Sequence, residues 1–178
     1  MLASLGISLS SSGMWLLNGI VWTALHLLSA FIAVRLPARL FERETALTRL
    51  RAFEAGGAFY ERAFAIHRWK DKLPDGGAWF KQGFAKAHLA SRSPAYLQRF
   101  VTETRRGEWT HWCMLLPVPL FTLYNDALGL VIMFVYALIA NLPCILVQRY
   151  NRARLLKVMT RRGKICYAKE TSYRTREQ

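Results

Sequence analysis

Between Gly13 and Val34 the chain runs for 22 residues without Asp, Glu, Lys or Arg, and between Ala127 and Val147 for another 21. At 1.5 Å per residue each run makes roughly 32 Å of helix, enough to cross the hydrocarbon of a bilayer, where a helix satisfies its own backbone polar groups. A chain of 178 residues built around such runs is expected to be an all-α integral membrane protein, one membrane domain over 1–178. A third apolar block, Trp109 to Tyr124, is shorter and carries Pro117 and Pro119, which kink or loosen a helix. The reading is three transmembrane helices at about 13–34, 109–124 and 127–147, the last two forming a helical hairpin over 109–147 around the turn Asn125-Asp126. Because the second block is short and twice interrupted, one span followed by a re-entrant hairpin is the alternative.

Charge orients this arrangement. The formal net charge is +14, and Lys plus Arg number 0, 15, 0 and 10 in segments 1–12, 35–108, 125–126 and 148–178. That alternation predicts an external N-terminus, a cytoplasmic basic region over 35–108 and a basic cytoplasmic tail over 148–178, in a multi-pass protein of the cell membrane. The N-terminus has no basic leader and its apolar run is too long for a signal peptide, so it reads as a retained span. With no zinc-finger spacing and no RNA-binding aromatic signature, nucleic acid is not an expected partner. Cys113, Cys144 and Cys166 form no CxxC pair and read as apolar packers, so neither a disulfide framework nor a metal site is expected.

Within the central region, Pro37 followed by Leu40, Phe41, Leu47, Leu50 and Phe53 predicts an amphipathic helix ending near Gly56-Gly57. Phe59 to Trp69, with aromatics among arginines, predicts a second helix lying in the headgroup layer. Leu73 to Gly77 is a turn signal, and Ser93-Pro94 reads as an N-cap and first helical residue. In the first span Asn18, Trp22, His26 and Ser29 recur on one face, which should meet protein rather than lipid.

The helix opened by Ser93 runs from charged into apolar sequence through Glu103-Thr-Arg-Arg-Gly-Glu108-Trp-Thr-His111-Trp112, where Thr104, Glu108 and His111 share a face at i, i+4 and i+7. An ionisable pair about one turn inside a membrane is a functional-site hypothesis. The hairpin brings Pro143 to Arg149 to the same depth, assembling Asn141, Gln148, Asn151, Arg149, Arg152 and Arg154 around it. A histidine with a carboxylate neighbour can take a proton from a hydroxyl, while N–H donors and cations stabilise an oxyanion or hold phosphate. Acyl transfer to an alcohol needs those parts and no metal. The bland reading pairs Glu108 with Arg105 or with the tail, makes His111 an interfacial anchor and gives the arginines to lipid phosphates. There is no GxSxG, P-loop, HExxH, dinucleotide-binding GxGxxG or His-x4-Asp box, so a covalent serine or cysteine route has no support.

Several of these segments together resemble the glycosyl-4,4'-diaponeurosporenoate acyltransferases of staphyloxanthin-type carotenoid biosynthesis. The resemblance runs from about Arg35 to Leu155, through Arg35-x-Pro37 with Phe41, Phe59 to Gly76, His88-Leu89, Glu103-Thr-x-Arg106-x-Glu108-x-x-His111-Trp112, Leu116-Pro117, Ala140-Asn141-x-Pro143 and Gln148-Arg-Tyr-Asn-Arg-x-Arg154. It implies a membrane enzyme that esterifies a sugar hydroxyl of a glycosylated carotenoid acid with a fatty acyl group. It weights His111, Glu108 and His88 over His26 and His67. The arginine-rich tail is longer than the family pattern.

The expectation is therefore an acyltransferase that uses no cofactor. His111, oriented by Glu108, is the general base, with His88 as the alternative. Arg149, Arg152, Arg106, Asn141, Asn151 and Gln148 bind substrate. The donor is acyl-CoA or a similar thioester, the acceptor a glycosylated carotenoid or related lipid, and membrane lipids surround the chain. The rivals are an acyltransferase with another membrane acceptor and a non-catalytic scaffold for pathway enzymes.

Overall fold

The computed structural model describes residues 10–73, 84 and 89–174, with side chains as far as 161 and at 163. The described residues are helical or irregular, without strands. Helix α1 spans Ser11–Arg35, α2 Arg39–Glu42, α3 Ala58–Phe64, α4 Pro94–Cys113 and α5 Ala127–Arg174, with 3-10 segments at Ala52–Gly57, Ile66–Arg68, Lys70–Lys72 and Val118–Leu123.

Two helices, α1 and the Ala127–Arg161 part of α5, are long and apolar enough to cross a membrane. Ser10 caps α1, its Oγ accepting from Gly13 N at 3.2 Å, and Asp126 starts α5 by accepting from Gly129 N at 2.7 Å. Both present large apolar side chains outward, Trp15, Leu16, Ile20 and Leu27 on α1 and Leu128, Val131, Phe134 and Ile139 on α5. A belt of that extent matches an apolar surrounding.

The block from Trp109 to Tyr124 is not a single helix. Helix α4 stops at Cys113, residues 114–117 turn, and the 3-10 segment Val118–Leu123 follows. Pro117 and Pro119 lack the N–H groups an α-helix needs, and the 3-10 segment covers only about 12 Å. In the other direction α5 continues past Val147 through the expected tail, because the residues beyond it are mostly strong helix formers. Pro143 inside α5 removes one backbone hydrogen bond there.

Contacts between α1 and α5 rise together in both sequences. Asn18 and Asn125 exchange amide hydrogen bonds at 2.9 and 3.0 Å, Trp22 Nε1 donates to Met133 Sδ at 3.3 Å, and the His26 and Tyr136 rings meet edge-on. The two helices are therefore parallel, and α4, which pairs Gly107 with Gln148 and His111 with Asn141, is antiparallel to α5. The expected polar stripe of α1 does turn inward: Asn18 and Trp22 are buried, while His26 and Ser29 are half-buried. Trp22, Met114, Val118, Phe121, Met133 and Ala137 form the core they face.

The expected amphipathic helix after Pro37 is reduced to α2. Thr45 and Thr48 bond each other's backbone N–H groups at 3.1 and 3.2 Å, which competes with helix formation. The carbonyls of Phe41, Glu42, Leu47, Thr48 and Arg49 are taken by the side chains of Arg105, Arg149 and Arg152 of α4 and α5 instead of by a helical ladder. The Phe59 to Trp69 stretch gives α3 and then a left-handed residue, Ala65 at φ 45°, before the 3-10 turn Ile66–Arg68. The Leu73 to Gly77 turn signal lies outside the described residues beyond Leu73.

Candidate active site

Helix α4 begins where its sequence signals it: Ser93 is the N-cap, its Oγ accepting from Tyr96 N at 3.3 Å, and Pro94 is the first helical residue. That register aims Thr104, Glu108 and His111 at α5. Thr104 Oγ1 donates back to Val101 O at 2.6 Å, so it is satisfied within its own helix although wholly buried.

Glu108 is completely buried. Its oxygens accept from Arg149 Nη1, from Arg152 Nη2 at 2.5 Å and from Trp112 Nε1 at 3.3 Å. Arg149 also donates to Glu54, Nε at 2.7 Å and Nη2 at 2.8 Å, a bidentate fork. Glu54 in turn accepts from Arg51 N at 2.5 Å and from the Tyr60 hydroxyl. Two carboxylates and two guanidiniums thus make a neutral buried chain, Glu54–Arg149–Glu108–Arg152, that ties the 43–60 segment to α4 and α5. Burial alone raises the Glu54 carboxyl, but hydrogen bonds from Arg149, Tyr60 and the Arg51 backbone outweigh it and bring it down to about 2. Burial and the adjoining Glu54 carboxylate push the Tyr60 phenol well above its ordinary range.

One turn beyond Glu108, His111 is half-buried, and its Nδ1 lies 3.0 Å from Asn141 Oδ1. Asn141 is wholly buried, and its Nδ2 donates to Ala137 O at 2.9 Å. That bond fixes the amide, so the atom turned to His111 is an oxygen, which can only accept. The ring then donates from Nδ1.

The other sequence-predicted residues divide by position. Gln148 packs its amide on Gly107, where an added Cβ would come within 3.1 Å of Cδ. Asn151 is half-buried on α5. Arg106 donates from Nη1 to Ala33 O at 2.5 Å and Leu36 O at 2.7 Å, capping the end of α1, and pairs with Glu103 at 3.1 Å. His88 lies outside the described residues. Glu54, Tyr60 and Thr48 are site-building residues that sequence reasoning missed. The available signal was Glu54 standing three residues after Arg51, a capping-box spacing, and two residues before a glycine pair.

Chemically the site offers a histidine oriented by Asn141, one turn from a buried ion-pair frame. A family model described as glycosyl-4,4'-diaponeurosporenoate acyltransferase matches residues 37–161. Curated proteins of that name from Staphylococcus aureus strains N315, bovine RF122 / ET3-1 and USA300 are each 33% identical over 145 residues, 80% of this chain and 87% of theirs. No solved structure matches.

Proposed function

The chain belongs to the glycosyl-4,4'-diaponeurosporenoate acyltransferase family, and from that premise we propose that it transfers a fatty acyl group from an activated thioester to a sugar hydroxyl of a glycosylated carotenoid acid, with His111 as general base. The observation that carries this reading is the Asn141–His111 bond, which fixes the orientation of the imidazole one turn beyond the ion-pair frame. His111 takes the hydroxyl proton as the oxygen attacks the thioester carbonyl. Collapse of the tetrahedral intermediate breaks the C–S bond, and the imidazolium returns the proton to the leaving thiolate. Asn141 orients the ring, and Glu108 holds the frame behind it. Arg152 is wholly buried and Arg149 is tied to two carboxylates, so both are assigned to that frame rather than to the donor. Asn151 and Gln148 remain candidates for contact with the acceptor, and His88 is the alternative base.

The topology proposed with it is three crossings, with the N-terminus outside and the tail cytoplasmic. Parallel α1 and α5 support this, because a chain that crosses twice in the same direction must return between Arg35 and Ala127. The end of α4 with the 3-10 segment provides that return, and the Lys and Arg counts agree with the orientation. His111 then sits at the cytoplasmic edge, where a water-soluble donor meets a bilayer-borne acceptor.

The test is lipid mass spectrometry of carotenoid-producing cells that carry the wild-type protein or His111→Ala. The wild type should yield the acylated pigment, and the variant should accumulate its unacylated glycosyl precursor at normal protein levels. Full acylation by His111→Ala removes the mechanism. Unchanged pigment with a different lipid missing on deletion moves the acceptor, and joint loss of several upstream products turns the reading to a scaffold.

A further inference from the structure

With Arg149 and Arg152 engaged in the frame, the anionic portion of a donor needs cations elsewhere, and α5 supplies unused ones. Arg154, Lys157 and Arg161 follow at i, i+3 and i+7, share a face and are exposed. Among the described residues none of the three pairs with a carboxylate. The acids near Tyr150 are already engaged: Glu61 accepts from the Tyr150 hydroxyl and lies 2.5 Å from His67 Nδ1, and Asp71 pairs with Lys70.

Two of these cations also lie against the same stretch of backbone. Gly56 and Gly57 are consecutive residues with positive φ, 67° and 80°. A Cβ on Gly56 would lie 2.8 Å from Lys157 Cδ and 3.1 Å from its Nζ, and one on Gly57 would lie 3.1 Å from Arg154 Cγ and Cδ. The bare backbone of the glycine pair is therefore a shelf across which both side chains are laid, and the Arg154 guanidinium also sits 6.0 Å from the Tyr150 ring centre. Holding two like charges side by side without an acid is unfavourable unless an anion joins them, and pre-arranged side chains lose less freedom when it does.

We propose that Arg154 and Lys157, laid across Gly56–Gly57, form a binding site for a phosphate ester group. A guanidinium fork with an adjacent ammonium suits phosphate oxygens. The site rests on the acyl-transfer reading for its purpose: a phosphopantetheine thioester donor carries such phosphates. The headgroups of the cytoplasmic leaflet carry the same group, and experiment separates the two sources.

The experiment uses the full chain in lipid nanodiscs, with coenzyme A as the probe in equilibrium binding. Arg154→Gln/Lys157→Gln should weaken coenzyme A binding by about tenfold or more, whereas His111→Ala should bind it as the wild type does. This separates the phosphate site from the base. If coenzyme A affinity is unchanged but the stimulation of acyl transfer by phosphatidylglycerol over phosphatidylcholine is lost, the site stands with the lipid headgroup as its phosphate. Unchanged coenzyme A affinity together with unchanged lipid dependence overturns the proposal. Should the double variant melt below the wild type, Lys157→Gln alone, at an exposed position, carries the same comparison with an expected loss of several-fold.

Discussion

Glu108 Oε2 accepts from Arg152 Nη2 at 2.5 Å, and both side chains are wholly buried. A pair so placed is weak as a net source of stability, because desolvation offsets the attraction, but removing one member strands the other's charge. Glu108→Ala should destabilise the protein by about 3–5 kcal/mol, and Glu108→Leu combined with Arg152→Met should cost clearly less than the sum of the single changes. Thermal unfolding in detergent measures the coupling. Additive effects would contradict the stranded-charge account.

Acid should loosen the same network from its other end. Glu54 has a folded value of about 2 against an ordinary 4.5, so its contribution is complete above pH 4.5 and is lost as pH falls towards 2. The amount at stake is on the order of 3 kcal/mol. Melting curves of the wild type should fall through that window, and Glu54→Gln should remove this part of the slope while lowering stability at neutral pH.

Asn141 is expected to matter for rate rather than for affinity. Asn141→Leu keeps a similar volume but deletes the oxygen that accepts from His111. kcat should fall by roughly 10- to 100-fold with little change in KM for the donor. A rise in KM at constant kcat would mean that Asn141 binds substrate and does not position the base.

The glycine pair makes a backbone prediction. Gly57→Ala puts a Cβ at φ 80° and within 3.1 Å of both the Tyr150 ring and the Arg154 stem, so it should destabilise by about 1–2 kcal/mol. At Gly56 the obstructing atoms belong only to the flexible Lys157 side chain, so Gly56→Ala carries the φ cost with less steric cost. Chemical or thermal unfolding of the two variants should rank Gly57→Ala as the less stable.

The helical architecture was readable where hydropathy and capping chemistry are local. The uncharged runs became α1 and the first part of α5, and Ser93-Pro94 started α4 as its residues indicate. Trp109 to Tyr124 shows the limit of that reading. Apolar composition suggested a span, while two prolines in one short block decided against a continuous helix. The segment after Pro37 failed for a different reason. Its periodicity is helical, but arginines more than sixty residues away donate to its carbonyls in place of a helical ladder.

Composition, periodicity and charge by themselves determined a helical chain with membrane-length apolar runs, the uneven distribution of its Lys and Arg, and the cluster of polar residues around Glu108 and His111. These are local properties, set by transfer of side chains from water and by backbone hydrogen bonding within a few residues. The tertiary structure alone decided the partners. Glu108 and His111 lie one turn apart on α4, yet the first is bonded to Arg149 and Arg152 and the second to Asn141. A buried charge or ring takes whichever partner the packing of α4 on α5 and the 43–60 segment brings within about 3 Å, and that distance is not written in sequence spacing.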